Sequence, residues 1–231
     1  MNLLDFIFPR HCLSCLRFGK YFCNICVSTI RTIGVNEAIC PICGRRAFGG
    51  MTHPRCKTKY SLDGLTSIFH YDGIIKQAIK SLKYRRITDL AQEFVNLVPG
   101  SCHPGEGRDP VLIPISLHSS RFRDRGFNQA EVLGRLLADR LPAGKAGLHI
   151  PMRTDILKRV IATTPQVEMK DRKERLKNMK NVFFIHHSSF IIRNSVILFD
   201  DVFTTGATMR AAGETLKRAG AKRVWAVTMA R

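Results

Sequence analysis

Two carboxylates, Asp200 and Asp201, stand side by side after the apolar run Val196-Ile197-Leu198-Phe199. A turn rich in small and hydroxyl residues, Thr204-Thr205-Gly206-Ala207-Thr208, follows closely. Adjacent carboxylates accept hydrogen bonds from sugar hydroxyls and can help hold a hydrated magnesium ion. A short loop that enters a helix aims successive backbone N–H groups, and the positive helix end, at one phosphate. Gly206 lets the backbone come close, and Thr204, Thr205 and Thr208 add hydroxyl donors. These residue types suit a ribose phosphate. The plainer alternative is a capped helix after a strand, with the acids serving only the helix dipole.

Arg121, Arg123 and Arg125 occupy alternate positions after an apolar run at 111–117. In an extended loop they point the same way, and guanidinium groups match a diphosphate or a nucleic-acid backbone in charge and bidentate geometry. A solvated basic loop is the other reading. Between 163 and 181 lie Lys170, Arg172, Lys173, Arg175, Lys177 and Lys180, interleaved with Glu168, Asp171 and Glu174. That stretch is either an anion-facing surface or a helix laced with its own ion pairs.

Seven of the eight cysteines fall in the first sixty residues, as Cys12-x-x-Cys15, Cys23-x-x-Cys26, Cys40-x-x-Cys43 and His53-x-x-Cys56. Each pair is a knuckle presenting two ligands, and two knuckles close a tetrahedral zinc site. Sequential pairing makes one four-cysteine site and one three-cysteine, one-histidine site. Interleaved pairing is the other arrangement this spacing allows, an iron–sulfur cluster is the other metal, and a solvated loop is the other reading of His53. So short a stretch has too little apolar content to fold alone, so bound metal supplies its folding free energy. Cys102 has no partner in the sequence pattern.

The remaining residues alternate strand-like and helix-like segments. Strands are expected at 65–71, 111–117, 181–185, 195–199 and 223–229. Helices are expected at 73–84, 88–98, 128–141 (with Val132, Leu136 and Leu137 on one stripe) and 207–220. This alternation predicts a parallel α/β sheet covered on both faces, over residues 61–231, after a metal-binding module at 1–60. Segments 101–110 and 142–147, rich in Gly and Pro, read as loops or insertions. Lys and Arg number 37 against 18 Asp and Glu, leaving +19, which favours polyanionic partners or simply a basic, soluble surface. No apolar run approaches membrane-spanning length, and Asp5 interrupts the apolar N-terminus without a basic segment before it. The expected compartment is the cytoplasm, with reduced thiols.

The segment from Val196 through Thr208 resembles the phosphoribosyl pyrophosphate motif of type I phosphoribosyltransferases. Together with the cysteine module, Leu82-Lys83-Tyr84, the 121–129 segment and Thr164-Pro165-Gln166, in this order, the chain resembles the ComF family of competence-associated, phosphoribosyltransferase-like proteins. It departs from that pattern in having His53 where the family has cysteine. The resemblance implies a type I phosphoribosyltransferase-like fold behind a double zinc ribbon. It implies phosphoribosyl pyrophosphate with magnesium as ligand, with Asp200 and Asp201 on the ribose and 204–208 on the 5′-phosphate. Arg121, Arg123, Arg125 and Lys83 would then hold the diphosphate. Single-stranded DNA and the DNA-uptake machinery are the implied partners. A type I phosphoribosyltransferase of nucleotide or base metabolism, without a DNA role, is the alternative.

Overall fold

The computed structural model describes residues 10–84, 88–100, 110–140, 150–161, 182–186 and 194–231. The expected insertions at 101–110 and 142–147, Cys102, and the cationic stretch 163–181 lie outside those residues, wholly or nearly so. Past the cysteine module the order is β1 (Gly64–Phe69), α1 (Gly73–Tyr84), α2 (Thr88–Asn96), β2 (Val111–Pro114), α3 (Ser119–Arg125) and α4 (Gln129–Arg140). Then come β3 (Leu157–Arg159), β4 (Phe183–Ile185), β5 (Ser195–Val202), α5 (Ala207–Arg218) and β6 (Arg223–Ala230). Four strands form one sheet in the order β1-β6-β5-β2, and each neighbouring pair is parallel. The expected α/β architecture is present. β3 was not foreseen, and it pairs antiparallel with β4 in a separate two-stranded ribbon.

Side-chain alternation explains the unbroken apolar runs Val196–Phe199 of β5 and Val224–Val227 of β6. Ile197 and Phe199, with Trp225, Val227 and Met229, join one buried cluster, which α1, α2 and α4 cover. Val196 and Leu198, with Val224 and Ala226, join the other, which receives Met209, Ala212 and Leu216 of α5. A strand covered on both faces has no polar side to spare, so its sequence reads as a continuous apolar run. The α1 stripe of Ile74, Ile75, Ala78, Ile79 and Leu82 is buried as its spacing predicts. In α4 the buried face is turned from the expected one: Ala130, Leu133, Leu137 and Ala138 are buried, whereas Val132 and Leu136 are only partly so. Asn128 caps that helix by accepting from the Ala130 N–H at 3.1 Å. Gly220 takes the left-handed conformation beyond α5, at φ 101°.

The cysteine module is docked onto this sheet. Phe22 stacks on Phe94 of α2, ring centroids 5.8 Å apart, and Glu93 accepts from the backbone N–H groups of Tyr21 and Phe22. Residues 31–33 and Met51 lie along the outer edge of β1, where Ile33 donates to the Ile68 carbonyl. A covered edge cannot recruit a foreign strand.

Gly64 sits beside Trp225 across the β1–β6 ladder, and a Cβ there would lie 2.2 Å from the indole ring. Trp225 is buried and donates from Nε1 to Thr66 Oγ1 at 2.9 Å, which removes it as a base-stacking surface. Gly64→Ala should therefore destabilise the fold by about 1–3 kcal/mol through overpacking. Urea unfolding should report a lower midpoint with an unchanged slope.

Candidate functional site

The first two knuckles and the last two knuckles each close on themselves. Cys12, Cys15, Cys23 and Cys26 form one group, Cys40, Cys43, His53 and Cys56 the other, and within each group the donor atoms lie within 4.8 Å of one another. Pairing is sequential, not interleaved. Sulfurs on a tetrahedral zinc stand about 3.8 Å apart; Cys15 and Cys23 Sγ are 3.6 Å apart. His53 presents Nδ1 3.3 Å from Cys43 Sγ, while Nε2 lies 2.9 Å from the Arg46 carbonyl. Donating from Nε2 to that carbonyl leaves the Nδ1 lone pair for a metal, the usual outer-shell arrangement of a ligating histidine.

The two knuckles that begin each site share one backbone design. Cys12 N–H donates to the Arg17 carbonyl and Cys40 N–H to that of Arg45, while Leu16 and Gly44 N–H donate back to Cys12 and Cys40. The returning residue is left-handed in both, Leu16 at φ 62° and Gly44 at φ 73°. Burial opposes ionisation of Cys12, yet backbone N–H donors from Cys15, Cys23 and Ser14 hold it down at about 6. Hydrogen bonding to Cys23 first, then burial, pushes Cys26 up to about 12. Burial, with Cys43 next, pushes Cys56 up to about 11. Four neighbouring sulfurs cannot all ionise without a cation, and a divalent ion reverses that order. The donor sets fit zinc.

At the C-terminal end of β5 the strand alternation parts the two acids. Asp201 continues the Ile197–Phe199 side and meets Lys83, the penultimate residue of α1, at 3.0 Å. Burial pushes Lys83 down, but Asp201 and then Asp200 outweigh it and the net shift is upward. Asp200 continues the other side. Burial first, then the charge of Asp201, raises it to about 8, although Oδ1 accepts from the Asp201 N–H at 2.8 Å. The loop then enters α5 through Gly206 at φ 73°, where a Cβ would lie 2.4 Å from the Phe203 ring and 2.7 Å from Arg210. Glycine is required there twice over, by conformation and by space. Thr205 Oγ1 accepts from the Ala207 N–H at 3.4 Å, and Thr208 lies in the first turn of α5.

The expectation of an extended arginine loop is corrected. Ser119–Arg125 is a helix, N-capped by His118 and closed by left-handed Gly126. At about 100° per residue, Arg121 and Arg125 share a face, whereas Arg123 points away from them. Arg125 donates to Gln129 at 3.1 Å, and Gln129 reaches the Lys83 carbonyl at 3.5 Å. Arg121 is near enough to Arg159 that, after burial, its charge depresses the Arg159 guanidinium, which Asp200 draws the other way. Arg159 thus joins the cluster from β3, without any motif to announce it. Ser116, just beyond β2, has a buried hydroxyl without a hydrogen-bond partner among the described residues. Between the loop and the Cys40–Cys43 knuckle lies a cavity of about 420 Å³, bounded by Pro41 and Gly44 on one side and by Val202, Thr204 and Thr205 on the other.

A family described as the double zinc ribbon domain matches residues 3–57. The chain is 27% identical to competence protein F of Haemophilus influenzae over 232 residues, covering 95% of this chain and 96% of that protein. It is 27% identical to competence protein ComFC of Bacillus subtilis, covering 89% and 81%, and 26% identical to the DNA utilization protein YhgH of Escherichia coli K12, covering 94% of each. The chain is a homologue of these proteins along nearly its whole length and carries a double zinc ribbon at its N-terminal end.

Two measurements follow from the metal geometry. Purified protein should hold two zinc ions per chain by elemental analysis, and His53→Ala should lower that to one while the four-cysteine site stays filled. Leu16→Gly should raise the melting midpoint, because it removes about 1–2 kcal/mol of left-handed strain from a residue that is 73% exposed and has little packing to lose. An unchanged or lower midpoint would show that Leu16 makes contacts that matter more than its backbone conformation.

Proposed function

We propose that this homologue of competence protein F, ComFC and YhgH binds phosphoribosyl pyrophosphate with magnesium at Asp200, Asp201 and residues 204–208, and serves DNA uptake and utilization in the cytoplasm. The observation that carries the ligand is the end of β5, where two carboxylates diverge directly above a glycine-gated helix N-terminus. Ligands of open α/β sheets sit at that edge. Asp200 and Asp201 accept from ribose hydroxyls, and the loop donates its backbone N–H groups and hydroxyls to the 5′-phosphate. Lys83, paired with Asp201, and Arg159, whose charge couples to Asp200, are the cations beside the acids for a diphosphate, with Arg121 next to Arg159; Arg123 and Arg125 suit a nucleic-acid backbone or a structural role better. Magnesium supplies charge neutralisation of the diphosphate when bound.

The DNA role rests on the names of the relatives and on the net charge of +19. With Trp225 buried, backbone electrostatics dominate any contact with single-stranded DNA, so its affinity should fall steeply with salt. The division of the chain into a metal-dependent module at 1–60 and a ligand-binding domain at 61–231 belongs to the same proposal. A second reading, transfer of the ribosyl group to a nitrogen nucleophile, is favoured by the cavity beside the loop, which offers an acceptor room. Release of pyrophosphate with candidate bases separates turnover from binding.

Calorimetric titration of phosphoribosyl pyrophosphate with magnesium should give a saturable site that the Asp200→Asn, Asp201→Asn variant loses. Undiminished binding by that variant rules out the assignment. The pH dependence has a definite sign. Asp200 holds its proton below about 8, and only the carboxylate serves magnesium and sugar hydroxyls. Affinity should therefore rise with pH from 6 towards 8 and level off above, by at most about tenfold per unit. Proton release should accompany binding at pH 7. In Asp200→Asn alone the slope should disappear.

A further inference from the structure

The Cys40–Cys43 knuckle of the second metal site and the phosphate loop are separated by more than 160 residues of chain, yet one side chain joins them. Arg210, one turn into α5, donates from Nη1 to the Pro41 carbonyl at 2.9 Å and from Nη2 to the Thr205 carbonyl at 2.8 Å. Pro41 lies inside Cys40-Pro41-Ile42-Cys43, between two metal-ligating sulfurs. Thr205 lies inside the loop. The same guanidinium packs against the bare face of Gly206, where a Cβ would strike Nη1. Buried backbone carbonyls need donors, and a planar guanidinium fork can serve two of them at fixed spacing.

A second tie runs parallel to the first. Arg231, at the end of β6, donates to the Glu37 carbonyl at 2.6 Å, and its own carbonyl accepts from Tyr71. Between these ties, Pro41 and Gly44 of the knuckle line the 420 Å³ cavity together with Tyr71, Arg210 and Arg231. The knuckle keeps its shape through two backbone hydrogen bonds and through whatever its four ligand atoms bind.

Resting on the ligand reading above, we infer that the second metal site forms one wall of the cavity beside the phosphate loop and that Arg210 is a positioning residue that fixes the loop against it. Ligand affinity at 204–208 then depends on metal at Cys40, Cys43, His53 and Cys56. Zinc there does more than stabilise a separate module: it sets the backbone to which the loop is clamped.

The test compares Arg210→Ala, Arg210→Lys, Cys56→Ser and, as a control on the outer face of the same helix, Arg218→Ala. Each is read by hydrogen exchange of the 203–208 amides, by zinc content and by titration of phosphoribosyl pyrophosphate with magnesium. Arg210→Ala should keep two zinc ions, exchange faster at 203–208, and bind the ligand on the order of tenfold more weakly. Protection in β5 and β6 should be unchanged. Arg210→Lys, which can reach one carbonyl, should fall between. Cys56→Ser should lose one zinc and reproduce the loop effect, and Arg218→Ala should match the wild type. Loop exchange that stays at the wild-type rate in both Arg210→Ala and Cys56→Ser overturns the inference, as does equal loosening of the strands, which marks a general loss of stability. Faster loop exchange in a protein whose wild type binds no ligand would refute the ligand reading while leaving the clamp in place.

Discussion

Strand β5 carries Asp200 and Asp201 directly out of a run of four buried apolar side chains, and a carboxylate in such a position must be paired, protonated or bound to a cation. The molecule uses the first two answers on opposite faces. Alternation along the strand hands Asp201 to Lys83 at the end of α1, where partial burial strengthens the pair. It hands Asp200 to the side of Arg159, where burial keeps its proton. A residue that holds its proton near neutrality is poised to release it to a cation. The packing of both faces of the sheet is what makes that so, since Asp200 would hold no proton near neutrality at the end of a solvated strand.

The zinc ribbons answer a related constraint. Their own apolar content is small, and the first ribbon fills the deficit from the sheet domain, placing Cys12, Phe22, Cys23 and Cys26 in the cluster that holds Phe69 and Phe94. The second ribbon contributes Ile39 to the opposite cluster and reaches the loop before α5 through Arg210. Although the knuckles repeat one turn, their surroundings differ: the first serves a hydrophobic seam, and the second borders the cavity. The left-handed position after the second cysteine of each turn is glycine in one and leucine in the other, so the same backbone is more comfortable where it faces the cavity.

Motifs that act within one short segment were readable in the chain. The cysteine spacings, the glycine-gated loop, the α1 stripe and the cap at Asn128 are each decided by local geometry, so residue type and spacing suffice. Reading failed where two conformations share a pattern. Three arginines on alternate positions fit an extended loop or a short helix equally well, and the helix forms because His118 caps it and Gly126 closes it. The buried face of α4 is rotated by a fraction of a turn from its apolar stripe, which spacing does not reveal because Val132 and Leu136 are as apolar as the residues that are buried. β3 escaped because Leu157–Arg159 is too short for a period to register.

The sequence alone determined the segments that carry the reactive side chains: four metal knuckles, and a strand, two acids and a helix entrance in succession. Covalent order and side-chain chemistry are enough for that. Only the tertiary structure decided how these segments meet. The pairing of Asp201 with Lys83, the arrival of Arg159 beside Asp200 and the clamp from Arg210 to Pro41 all join residues distant in the chain. Such contacts depend on which faces pack together, and no local periodicity encodes that.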